Sequence, residues 1–350
     1  MQLMESVVVD TVRYPAERDR SLKMSVSVAA HPRGHATGIA VCYSGLLRGF
    51  GGERSGALTN HEQYLLRPLA QLFPGELYVA FSMAHTHGQV EHLPARVMRT
   101  LATLISDTSA HVVQEARPLV NGSNYMAFLA FGGIEHCGRL IKAAASRRSR
   151  SFAFAVRMRY DFLIEPLVAG GLLAKWPIWK HAWQDPSLHL ASPPDTAHSS
   201  LLPSPPSAIL TVSKYSNANS TRTRGLQLWG CKPPGLPTRR CVPQDVFFVV
   251  GASAAFGPVE NFFLESHAHV RWWLTEGLKS RQHAPERTMF QPALSRGMPL
   301  DIVWRRGGGC AWMLVDKHEL GDARAPRAIF RNRCSSLRSN ASFGMRATMM

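Results

Sequence analysis

Short apolar runs alternate with longer helical stretches through the first half of the chain, and this alternation limits the fold more than any other feature. Residues 39–43 (IAVCY) read as a buried strand running into a turn at Ser44 and Gly45, and the glycine-bearing loop LLRGFGG follows. Residues 60–73 carry apolar side chains at Tyr64, Leu65, Leu69 and Leu72, an amphipathic helical spacing. Pro68 predicts a break or kink inside it, and Pro74 with Gly75 ends it. Residues 77–81 form a second strand, 93–105 a helix with Pro94 in its first turn, 111–115 a short third strand and 125–145 a helix bent near Gly132 and Gly133. A strand at 151–161 completes a β-α-β-α-β-α-β order, which predicts an α/β layered, Rossmann-like and mostly parallel sheet.

That last strand, SFAFAVRMRYD, alternates large apolar residues (Phe152, Phe154, Val156, Met158, Tyr160) with Ala153, Ala155, Arg157, Arg159 and Asp161. Successive side chains of a strand point to opposite faces, so the pattern predicts a buried ribbon that delivers Arg157, Arg159 and Asp161 together to one edge. Paired guanidinium groups suit phosphate oxygens, and a carboxylate beside them suits a hydrated divalent cation. The same residues also fit a solvated strand end with an internal Arg–Asp ion pair. In sheets of this class ligands bind beyond the carboxyl ends of the strands, where Gly45 and Arg159 both fall.

From about residue 184 to 244 proline, serine and threonine dominate, which predicts an exposed, disordered insertion. Patterning resumes with a strand at 246–250, helices at 259–278 and 285–295, and a strand at 300–304. Residues 1–35 read as an irregular lead-in, 36–310 as one α/β domain and 311–350 as an irregular basic tail.

The formal charge is +16, which admits a polyanionic partner. The basic residues are dispersed or lie in the tail, and no RNA- or DNA-binding module is recognisable, so nucleic acid ranks last among the partners. None of the six cysteines is in CxxC spacing, which argues against a zinc or redox motif. Cys42 and Cys137 read as small buried hydrophobes, and Cys231 and Cys241, flanking a Pro-rich loop, are a weak disulfide pair. His85 and His87, the Trp176, Trp179 and Trp183 stripe and the glycines after Arg306 read as loop, packing and turn features. The N-terminal residues show no signal peptide and no uncharged run reaches the ~18 residues of a spanning helix.

Four landmarks occur in order between residues 38 and 305: Ser44, Gly45 and Arg48 after a strand, Arg157, Arg159 and Asp161 after another, Asp245 opening a short strand, and Pro285–Glu286 opening a helix. In this order they resemble the glycosyltransferase-like proteins with a nucleotide-diphospho-sugar transferase fold, of plant, algal and bacterial type. The resemblance implies a transferase that moves a sugar from a nucleotide-diphospho-sugar donor to a glycan or small-molecule acceptor hydroxyl. It implies that Gly45 lets the backbone approach the nucleotide, that Arg48, Arg157 and Arg159 face the diphosphate, and that Ser44 lines the same turn. Asp161 would take the place of the metal-holding acid, with Mn²⁺ or Mg²⁺ as the cation. Arg159 stands where the first acid of the family's DXD motif would be, so the arginines alone would neutralise the leaving group if no metal binds. Asp245 or Glu286 would act as the base of an inverting reaction. For Asp245 a turn cap, and for Glu286 a favourable place at a helix N-terminus, are equally simple readings. The resemblance also implies the Golgi or secretory pathway, although no anchor is legible. A catalytically degenerate scaffold protein of the same fold is the alternative.

Overall fold

The structure, a computed structural model, describes residues 9–14, 38–45, 47, 50–51, 56–84, 92–104, 107–113, 125–149, 151–164, 209–212, 230–231, 239–240, 246–252, 257–275, 289–290, 292–293, 300–305 and 312–314. The strands are β1 (Val9–Tyr14), β2 (Gly38–Gly45), β3 (Leu77–Ala84), β4 (Asp107–Val113), β5 (Phe152–Met158), β6 (Phe162–Ile164), β7 (Ile209–Val212), β8 (Gly230–Cys231), β9 (Arg239–Arg240), β10 (Phe247–Gly251), β11 (Leu300–Arg305) and β12 (Trp312–Leu314). The helices are α1 (Ala57–His61), α2 (Arg67–Leu72), α3 (Ala95–Ala102), α4 (Tyr125–Arg148) and α5 (Val259–Thr275).

Eight strands form one sheet in the order β1-β11-β7-β10-β5-β2-β3-β4. The block β5-β2-β3-β4 is parallel, as is the β7–β11 pair. β10 runs antiparallel to both its neighbours and β1 antiparallel to β11. The result is a mixed α/β architecture with a mostly parallel sheet, consistent with Rossmann-like layering. The chain steps from β2 outward to β3 and β4, then crosses back to place β5 on the other side of β2. The order therefore reverses between β2 and β5.

Both faces of the parallel block are covered, which is why its strands read as nearly continuous apolar runs. On one face Ile39, Val41, Tyr43, Val79, Phe81, Phe154 and Val156 pack with Leu65, Leu69, Val97 and Leu101 from the α1–α3 layer. On the other, the small residues Ala40, Ala80 and Ala155 lie with Cys42 under Ile134, Cys137 and Ile141 of α4, and Phe248 meets Phe262 and Phe263 of α5. Small side chains on that face let the helix approach closely. Gly133 takes this furthest, because a Cβ there would come within 2.9 Å of the Ser44 Cβ.

Several expectations change. The helix runs on unbroken through Gly132 and Gly133, and at Gly133 the missing side chain makes room for Ser44. The break expected at Pro68 is a π-helical turn, Glu62–Leu66, joining α1 to α2, with the Arg67 N–H reaching back to the Glu62 carbonyl. The five apolar residues of the Arg-bearing strand do not share one face. Gly38 pairs with Phe152 but Ile39 with Phe154, so Ala153 is an extra residue, and Phe152 turns to the α4 side while Phe154 stays on the other. Within the supposedly irregular lead-in, residues 9–14 form β1 against β11. Within the Pro-rich span, the β-branched run ILTV forms β7 inside the main sheet, and β8 pairs with β9. Past Gly307, β12 pairs with β6. Cys42 and Cys137 are buried as expected, but they are bonded to each other as a disulfide that pins α4 to β2.

Candidate functional site

β2 and β5 are parallel neighbours with Tyr43 opposite Met158, so the residues that follow them emerge at the same end of the sheet. Gly45 ends β2 with φ at +124°, a backbone conformation that side-chain-bearing residues rarely adopt. A Cβ at that position would lie 4.0 Å from Arg159 Cγ. Arg159 follows β5 directly, and its N–H donates to the Val246 carbonyl at 3.0 Å, which ties it to the start of β10. The glycine turn and this arginine therefore sit side by side where the strand order reverses, the place at which open α/β sheets form a crevice.

The three charged residues of the strand part company. Arg157 is 0% exposed. It points under α4, and its Nε–H donates to Ser44 Oγ at 2.9 Å. The expectation that it reaches the sheet edge beside Arg159 is corrected: odd-numbered residues of β5 beyond the bulge face α4, and α4 covers them. Arg159 lies past the last strand residue, where the chain has begun to turn, and its side chain is 22% exposed. It grips Asp161 with two parallel bonds, Nε to Oδ1 and Nη2 to Oδ2, both at 3.0 Å. The Asp161 side chain is 1% exposed. Such a fork is stronger and more directional than a single contact.

The Asp161 carboxylate is turned to Arg159 and is almost closed to solvent. Both carboxylate oxygens are engaged by Arg159, and no group of three or more His, Cys, Asp or Glu among the described residues is placed to hold a metal. Arg159 spends two of its five N–H donors on the aspartate, and a guanidinium has the remainder to offer an anion. Arg48, Asp245 and Glu286 lie outside the described residues, as do His85, His87, Cys241 and the tryptophans at 176, 179 and 183. Val246, the neighbour of Asp245, is buried and touches Arg159 through its carbonyl.

Beneath the site lies an aromatic floor. Tyr43 stacks on Phe81 at 5.2 Å, on Tyr160 at 5.6 Å and on His61 at 5.6 Å, and Phe50 closes the group against Tyr160 at 5.4 Å. Each such pair adds roughly 0.5–1.5 kcal/mol beyond its area. Phe50 comes from the glycine-bearing loop after Gly45, so that loop is anchored by an aromatic plug. Burial pushes the Tyr43 hydroxyl above its ordinary range.

Two residues that the sequence reading passed over hold the segment after Asp161. The Asn60 side-chain amide donates to the Ile164 carbonyl at 2.9 Å and accepts from the Ile164 N–H at 3.0 Å, imitating a strand neighbour for β6. His61 donates from Nε2 to the Phe162 carbonyl. Burial pushes its imidazole down to about 4, against the opposing effects of that carbonyl and of the Asp161 carboxylate. The signal was present in the spacing: Asn60 and His61 fall one turn before Tyr64 and Leu65, on the apolar stripe of the helix, where an unsatisfied polar group would be costly.

No protein-family model matches the chain, and no curated protein matches it. Among solved structures it is similar to mouse xyloside xylosyltransferase 1 in its apo form, at 9% identity and a TM-score of 0.32, over 73% of this chain and 81% of that one. It is similar to a glycosyltransferase involved in glycosylation of the major capsid of PBCV-1, at 10% identity and a TM-score of 0.24, over 75% and 92%. A third likeness is to the inositol-1-phosphate CTP transferase of T. maritima, at 11% identity and a TM-score of 0.27, over 84% and 98%. At these scores the likenesses assign no role to any residue.

Proposed function

We propose that the chain is a sugar transferase that takes a nucleotide-diphospho-sugar donor in the crevice beyond β2 and β5. The observation that carries this reading is the juxtaposition of the Gly45 turn and the Arg159–Asp161 fork at the reversal point of the sheet. A backbone without a side chain admits a bulky pyrophosphate closely, and a partly exposed guanidinium held in one orientation meets it with little ordering cost. The acceptor oxygen attacks the anomeric carbon, the bond from that carbon to the diphosphate breaks, and the acceptor proton passes to a base. Asp245 and Glu286 are the proposed bases. Arg159 stabilises the charge that develops on the departing diphosphate, and Asp161 fixes the guanidinium rather than a cation. Arg157 and Ser44 support the turn from beneath. The buried disulfide supports maturation in an oxidising compartment.

A second reading, a binding protein of the same fold without turnover, is favoured by the same fork, because Asp161 is closed within it. The test is hydrolysis of common nucleotide-sugars with and without Mn²⁺, alongside calorimetric binding of the same compounds. The expected result is metal-independent hydrolysis that falls about a hundredfold in Arg159→Lys, which keeps the charge but loses the planar fork. Binding without hydrolysis selects the second reading. Hydrolysis unchanged in both Arg159→Lys and Arg159→Ala overturns the site.

A further inference from the structure

The outer surface of the α4–α5 helix pair carries a groove of about 390 Å³, lined by Glu135, Leu264, His267, Ala268, Arg271 and Trp272. The groove is open to solvent rather than an enclosed cavity, so a ligand would lie along it with one side exposed. Trp272 is 56% exposed, and the His269 ring lies tilted beside it at 5.6 Å. A single exposed apolar residue needs no explanation. Trp272 differs because polar groups held in fixed positions surround it. The Glu135 carboxylate receives Arg139 Nη2 at 2.5 Å on one oxygen and lies 3.2 Å from His267 Nδ1 with the other, so its orientation is set before anything binds.

The lining chooses among ligands. An anion would meet the Glu135 carboxylate, and a cation would meet the Arg271 guanidinium. A purely apolar ligand would strip water from both kinds of charge without replacing its hydrogen bonds. A neutral molecule with neighbouring hydroxyls satisfies a carboxylate as donor and a guanidinium as acceptor at once. An exposed indole offers it a flat apolar surface at small entropic cost. A sugar ring has both properties: hydroxyls around its edge and a face of C–H groups.

We propose that this groove binds a neutral saccharide, with the Trp272 indole under the face of one ring and Glu135 and Arg271 holding its hydroxyls. This goes beyond the nucleotide-sugar reading, since holding a glycan requires no transfer chemistry and no part of the Gly45–Arg159 crevice.

The experiment is titration of the full chain, followed by tryptophan fluorescence and calorimetry, with malto-, xylo-, manno- and chitotetraose and with a sulfated heparin tetrasaccharide. At least one neutral tetrasaccharide is expected to bind with a Kd of about 1 mM or tighter. Trp272→Ala is expected to weaken it about tenfold or more, Trp272→Tyr to retain most of it, and the thermal melts of both variants to match the wild type, because the side chain is exposed. Absence of binding by every neutral sugar, equal binding by Trp272→Ala, or preference for the sulfated sugar overturns the proposal. So does self-association that Trp272→Ala abolishes, which assigns the groove to a second copy of the chain. Nucleotide-sugar hydrolysis is not read here, so failure of one proposal leaves the other standing.

Discussion

The two layers that cover the sheet are fastened to it by different means. On the α4 side the join is covalent and close-packed: the Cys42–Cys137 disulfide links strand to helix, Gly133 brings the helix backbone against Ser44, and small alanines line the strand face. On the α1 side the join is aromatic and hydrogen-bonded, with the stack around Tyr43 below and the Asn60 and His61 bonds reaching to β6 above. The first kind of join is indifferent to pH and sensitive to reductant. The second has the opposite sensitivities. Arg157 and Arg159, two positions apart, end in these different settings: one is sealed under the fixed layer, the other stands at the rim where the hydrogen-bonded layer turns away.

The sharpest way to break this contrast is reduction. The disulfide spans 95 residues, and closing a loop of that size in the unfolded chain is worth about 4.7 kcal/mol on the chain-entropy account. Cys42→Ser with Cys137→Ser is expected to lose a few kcal/mol of that order, read as a fall in the denaturation midpoint. The midpoint of the double variant should then be insensitive to dithiothreitol. A wild type equally stable with and without reductant, at full thiol titration, would remove the covalent half of the comparison.

Acid tests the other half. His61 titrates near 6.5 when unfolded and at about 4 in the fold, so between these values the unfolded state binds the extra proton. Stability is therefore complete above about pH 6.5 and declines as the pH falls toward 4, by about 3 kcal/mol in all. Burial likewise lowers His267 on α5, which acts in the same direction. His61→Gln, which keeps a donor for the Phe162 carbonyl, is expected to flatten most of the decline in urea melts taken from pH 7 to pH 4. An unchanged slope would mean that another group governs the acid limb.

The smallest effect sharpens where the hydrogen-bonded layer is held. Asn60→Leu keeps the branched shape of the side chain but leaves the Ile164 N–H and carbonyl without this partner, at a cost of about 2 kcal/mol. Amide hydrogen exchange should show the loss at Ile164 and its neighbours while β2 and α4 keep their protection. Uniform loss across the sheet would show that the two layers are a single cooperative unit.

Local pattern carried much of the architecture. β2, β3, β5, β10, α4 and α5 were all legible, because a short apolar run, or a period of two or of 3.6, is written in the residues of each element alone. β1 was passed over because its worth depends on β11, nearly three hundred residues later in the chain, and β7 because proline and serine on both sides outweighed four β-branched or apolar residues. The bulge at Ala153 was invisible, since strict alternation predicts no extra residue, and with it the split of Phe152 from Phe154. The partners of Asn60 and His61 were hidden for a related reason: they lie about a hundred residues away.

What the amino-acid order determined by itself was the run of β2, β3, β5, β10, α4 and α5, the turn at Ser44 and Gly45, and the close spacing of two arginines and an aspartate at and just past the end of β5. Tertiary structure alone decided which of those charges meets water. A side chain's burial depends on what crosses above it, and α4 crosses above Arg157 but leaves Arg159 at the rim, with Asp161 folded beneath it as its counter-charge. Tertiary structure alone also brought Cys42 to Cys137, because proximity across 95 residues is a property of packed layers and is written in no local period.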